Sequence, residues 1–89
     1  MERIEFKVFG KVQGVNFRFS VLEASRNFKV KGFVQNLPSG EVLVEAEGKK
    51  TELENFLETV KNFSFTEIKK TEVQWKKFQN EFTEFGIKY

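Results

Sequence analysis

Hydrophobic periodicity alternates between two repeats along this chain, and no other feature limits its fold as much. Ile4, Phe6 and Val8 alternate with Glu5 and Lys7, a period of two that predicts a half-covered strand over residues 3–9. Phe17, Val21, Ala24 and Phe28 then fall at helical spacing, predicting a helix over about 17–27 with Asn27 as its stop. Val30 to Asn36 reads as a second strand, Leu37-Pro38-Ser39-Gly40 as a turn and Glu41 to Glu47 as a third strand. There Val42, Val44 and Ala46 share one face, and Glu41, Glu45 and Glu47 share the other, which is expected to be wet. Thr51-Glu52-Leu53-Glu54 has the form of a capping box with Thr51 as N-cap, and Leu53, Phe56, Leu57 and Val60 follow as one apolar stripe. A fourth strand is expected around residues 67–78, and Phe85, Ile87 and Tyr89 alternate as a short terminal strand.

Two helices with one apolar stripe each and a set of half-covered strands have few ways to bury those faces. The expected fold is α+β, a ferredoxin-like βαββαβ sandwich with both helices on one face of an antiparallel sheet and a short extra C-terminal strand. Residues 1–89 suit a single domain, since a chain of this length buries roughly 60–65% of its unfolded surface. Twelve Phe and 39% hydrophobic residues supply enough core to oppose disorder. No run approaches the roughly 18 apolar residues of a membrane span, and no signal peptide precedes the first strand, so a cytoplasmic protein without membrane contact is expected. The net charge of +2 comes from interspersed Lys and Glu and argues for no particular partner.

The chain contains no His, no Cys and no Asp; its 13 acids are all Glu. That inventory removes Ser-His-Asp and Cys-His nucleophilic sites, zinc centres built on imidazole or thiolate, and aspartyl-phosphate intermediates. It also removes EF-hand loops and the aspartates that hold magnesium in nucleotide-dependent enzymes. No metal or cofactor is expected. Chemistry in such a chain must come from positioning and charge stabilisation, which suits a substrate that is already activated.

One segment carries a candidate site. Gly10-Lys11-Val12-Gln13-Gly14-Val15-Asn16-Phe17-Arg18 sets two glycines around a turn and an arginine in the first turn of the following helix. A cation is disfavoured there by the partial positive charge of the helix N-terminus, and no acid occurs between Lys7 and Leu22 to neutralise it. Free backbone N–H groups beside a guanidinium make an anion site, with phosphate the usual guest. Gly10 and Gly14 are expected to serve the turn, and Gly14 to allow phosphate a close approach. Phe17 is expected in the core, and Gln13 either touches the ligand or buttresses the turn.

The same segment resembles the acylphosphatase signature, whose core is Gly-x-Val-Gln-Gly-Val-x-Phe-Arg. A second family signature follows in order: Gly32-Phe33-Val34-Gln35-Asn36, then Gly40-Glu41-Val42, then Gly48. The resemblance implies metal-free and cofactor-free hydrolysis of the carboxyl–phosphate anhydride of a small-molecule acyl phosphate. It implies a phosphate-binding loop of Gln13, Gly14, Val15, Asn16, Phe17 and Arg18, with Arg18 on the phosphate and Asn36 orienting the attacking water. The phosphate itself is proposed to accept the water's proton in this family. A monomer is expected. Asn16 occupies a variable position of the signature, and Asn62-Phe63-Ser64-Phe65-Thr66 stands where many relatives have a Gly-Pro-rich connection.

Two rival readings remain open. One is a non-catalytic phosphate- or carbamoyl-phosphate-binding domain, as found fused to larger carbamoyl-transfer proteins. The other is an RNA-binding module, suggested by the element order and by Lys31-Gly32-Phe33-Val34. Glu41, Glu45 and Glu47 on the third strand oppose the second reading, because they would repel a nucleic-acid backbone. No nucleic-acid partner is expected.

Overall fold

The computed structural model describes residues 1–14 and 16–89. Its elements run β1 (Glu2–Lys11), α1 (Phe17–Ser25), β2 (Val30–Asn36), β3 (Val42–Gly48), α2 (Lys50–Lys61), β4 (Glu67–Lys76) and β5 (Phe85–Lys88). The strands form one sheet in the order β4-β1-β3-β2-β5. The first four pair antiparallel as expected, while β5 lies parallel to β2, so the complete sheet is mixed. None of the helices described is long and apolar enough to cross a membrane.

Strand alternation sorts the side chains into two faces. Ile4, Phe6 and Val8 of β1, Val34 of β2 and Val42, Val44 and Ala46 of β3 are fully buried. They pack against Val21 of α1 and Leu53, Phe56 and Val60 of α2 in one core. Phe56 meets Phe6 and Phe85 edge to face. Asn36 has the parity of Val34 and so belongs to the helix-bearing face, the side on which α1 carries Arg18.

Several local expectations are corrected. Helix α1 stops at Ser25, short of Asn27, because the next amides tighten into three-residue turns: Arg26 N–H donates to Glu23, Asn27 to Ala24 and Phe28 to Ser25. The capping box does not form. Helix α2 starts two residues earlier than Thr51 requires, with extended Lys49 as its N-cap and no side-chain cap. The Lys49 carbonyl accepts from Leu53 N–H, while the Glu52 carboxylate accepts from Lys29 N–H at 2.7 Å and so ties α2 to the start of β2. Gly10 lies inside β1 rather than in the turn, at the irregular pairing with β4. There its φ is +135° and an added Cβ would stand 2.1 Å from the Glu67 carbonyl oxygen, so only glycine lets β4 approach. In the 62–66 connection Phe63 packs on the core and edge-on to Phe17, and Phe65 remains half exposed beside it.

The opposite sheet face is not the wet glutamate surface its alternation predicts. Arg3 is 7% exposed and Glu47 only 4%. The Arg3 guanidinium meets Glu45 at 2.9 Å, Glu47 at 3.3 Å and Glu81 at 2.5 Å, and lies 4.8 Å from the Phe82 ring centroid. Glu47 also accepts the backbone N–H of Gln79 (2.7 Å) and Glu81 (2.9 Å). The segment joining β4 to β5 therefore folds under the sheet and shields Glu47 and most of Glu45 from water, while Glu81 stays half exposed.

Burial by itself would raise the Glu47 pKa, but the amides of Gln79 and Glu81 and the Arg3 guanidinium outweigh it and hold the carboxyl below its usual 4.5. A carboxyl with a depressed folded pKa contributes stability that is present above its unfolded value and lost as pH falls through the folded one. Unfolding midpoints are thus expected to hold near neutrality and to drop as pH falls below about 4.5. Denaturant titrations of Glu47→Gln should show a shallower acid limb than the parent chain.

Candidate active site

The loop between β1 and α1 is pinned at both ends by burial. Val12 is fully buried and Phe17 nearly so, whereas Gln13, Gly14 and Asn16 between them are exposed. Gly14 has φ +78° and Asn16 φ +59°, ψ +27°, both left-handed, so the chain curls back at these residues before entering α1. Asn tolerates that region better than most side chains, which explains its place ahead of Phe17. Val15, expected in the same loop, lies outside the described residues.

Asn16 caps α1 without a side-chain hydrogen bond, and the first turn of the helix contains no acid. Among the described residues nothing accepts a hydrogen bond from the backbone N–H of Asn16, Phe17 or Arg18. These are donors that a helix start leaves without intrahelical partners. Arg18 is partly buried and forms no ion pair with any described residue. Its guanidinium instead lies 4.9 Å from the Tyr89 ring centroid, a cation–π contact that leaves its charge uncompensated.

Asn36 ends β2, opposite Val42. Its Oδ1 is buried without a hydrogen-bond partner among the described residues. An unpartnered buried carbonyl costs free energy in a purely structural role, so this atom is poised for a donor.

A cavity of about 330 Å³ brings these groups together. Gly14, Asn16, Arg18 and Asn36 supply its polar lining, and Val12, Phe17, Phe19, Ile87 and Tyr89 the remainder. Of the residues expected at the site, Gly14, Asn16, Phe17, Arg18 and Asn36 converge there. Gln13 is not among its lining residues, and its side chain is engaged elsewhere. Its Nε2 donates to the Leu37 carbonyl at 2.9 Å and the Glu41 carbonyl at 3.0 Å, binding the loop to the turn that follows Asn36. One side chain thereby locks the Arg18 segment and the Asn36 segment in register.

Ile87 and Tyr89 were not expected at the site. Their signal is the alternation Phe85, Ile87, Tyr89 combined with the strand order. Parallel pairing sets Ile87 beside Val34 and Lys88 beside Gln35, so the next residue, Tyr89, comes level with Asn36. No group of three or more metal-ligating side chains occurs among the described residues.

The acylphosphatase family model matches residues 4–87. An acylphosphatase of Methanospirillum hungatei is 44% identical over 62 residues, 70% of this chain and 68% of that protein. The crystal structure of acylphosphatase from Bacillus subtilis superposes with a TM-score of 0.93 at 33% identity, covering all of both chains. Full-length HypF, in its phosphate- and nucleotide-bound form, matches with a TM-score of 0.90 at 30% identity, over 99% of this chain but 12% of HypF. With the fold, both signature segments and these matches in agreement, the chain belongs to the acylphosphatase family.

Proposed function

We propose that this acylphosphatase holds the phosphoryl group of its substrate between the Arg18 guanidinium and the backbone N–H groups around Gly14–Arg18, and directs the attacking water with Asn36. The observation that carries the proposal is the meeting, at one cavity, of a guanidinium and a buried Asn36 Oδ1 that have no ion-pair or hydrogen-bond partner among the described residues. The water donates one hydrogen bond to Oδ1, which turns an oxygen lone pair toward phosphorus. A new P–O bond forms to the water oxygen as the bond from phosphorus to the acyl oxygen breaks. The electron pair leaves with the carboxylate, and the water's proton passes to a phosphoryl oxygen.

A carboxylate is a good leaving group, so no protein acid has to protonate it. Arg18 neutralises the phosphoryl oxygens in a planar two-pronged geometry that a lysine cannot reproduce. The loop amides add fixed dipoles that need no reorganisation as the charge shifts. Gln13 keeps the phosphate-binding and water-orienting segments at a constant separation.

No imidazole, thiol or carboxyl fills any of these roles. Steady-state hydrolysis of benzoyl phosphate is expected to vary little from about pH 5 to 8 and to be indifferent to a chelator. A bell-shaped profile in that range, or loss of turnover with the chelator, would refute the mechanism. Binding of inorganic phosphate without any turnover would favour the phosphate-binding domain read from the sequence, with which the match to a small part of HypF agrees.

A further inference from the structure

A phosphoryl group uses hydrogen bonds and positive charge, yet the same cavity is lined by two large aromatic side chains that contribute nothing to the core. Phe19 is 55% exposed and Tyr89 90% exposed. Phe19 sits one residue beyond Arg18 on α1, where Phe17 and Val21 point into the core and it does not. Tyr89 is held against the Arg18 guanidinium at 4.9 Å. Single exposed apolar residues are ordinary, but two aromatics lining one cavity with a phosphate-binding arginine form a local surface that an apolar group would cover favourably.

An acyl phosphate has two halves. If the phosphoryl half occupies Arg18 and the loop amides, the acyl half starts only one bridging oxygen away, at the mouth of the same cavity. Its surroundings there are the rings of Phe19 and Tyr89 together with Ile87. Among the described residues no charged side chain other than Arg18 lines the cavity, which favours an acyl group without a charge of its own.

We infer that Phe19 and Tyr89 form an acyl-group wall that selects acyl phosphates with aromatic or bulky apolar acyl groups over small ones. The inference rests on the phosphate site proposed above, and its test separates the two. The affinities of benzylphosphonate and methylphosphonate for the intact protein are measured by calorimetry, alongside turnover of benzoyl phosphate and acetyl phosphate. Both phosphonates load the Arg18 site, and only the first reaches the wall. The parent chain should prefer benzylphosphonate, and Phe19→Ala should reduce that preference about tenfold, the low end for an apolar contact in a binding pocket. Tyr89→Ala should reduce it in the same direction, whereas Phe19→Tyr should preserve it.

An unchanged affinity ratio in both alanine variants overturns the wall. If the parent binds the phosphonates but hydrolyses neither acyl phosphate, the hydrolytic mechanism fails while the ratio still decides the wall. If neither phosphonate binds, both proposals fall.

Discussion

Replacing Arg18 by alanine is expected to lower kcat/KM for benzoyl phosphate by at least a hundred- to a thousandfold and to weaken inhibition by inorganic phosphate together with it. Removing one preorganised donor from developing charge costs about 3–4 kcal/mol of transition-state stabilisation. Arg18 also supplies the only side-chain charge in the cavity among the described residues, so ground-state phosphate loses its partner as well. Stability should move little. Alanine removes a cation from a helix N-terminus, which favours folding by a few tenths of a kcal/mol, and gives up the contact with Tyr89, worth about as much. Thermal unfolding and kinetics measured on one preparation will separate the two effects. A variant that folds normally and turns over within tenfold of the parent would remove Arg18 from the mechanism.

For Asn36→Ala the expected signature is a split. The kcat should fall about a hundred- to a thousandfold, while the inhibition constant of inorganic phosphate stays within about threefold, because Arg18 and the loop amides are untouched. Truncating most buried polar side chains orphans a partner inside the protein and destabilises it. Here Oδ1 has no partner among the described residues to orphan, so the folded state should lose little. Equal losses in phosphate binding and turnover would make Asn36 a phosphate ligand instead. Normal turnover would leave it a turn residue.

Much of the fold was legible because its core residues follow unbroken periods. Ile4, Phe6 and Val8 announce β1, and Leu53, Phe56 and Val60 announce the buried stripe of α2 without outside information. Thr51 misled because a cap is a local preference worth about 1 kcal/mol, whereas docking that stripe decides where the helix begins. Glu47 misled for a different reason. Alternation correctly set it opposite Val44 and Ala46, but only the pairing of Arg3 with Glu47 and the return of residues 79–81 beneath the sheet turn that face into an interior. Of the site, Arg18 and Asn36 were legible from their motifs, and Gln13 only as one of two alternatives. Tyr89 was not, because its place depends on a parallel strand pairing between segments about fifty residues apart in the chain.

The hydrogen bonds from Gln79 and Glu81 to Glu47 have a consequence for how acid reaches this enzyme. The stretch they clip in place leads directly into β5, and β5 ends at the cavity. A proton on Glu47, on the far side of the sheet from the phosphate site, weakens the acceptor of those two amides, so the 79–81 segment is expected to loosen in acid while the pairing of β5 with β2 keeps Tyr89 level with Asn36. Acid is therefore expected to act on stability, at a tether remote from the reacting atoms, before it alters the cavity itself.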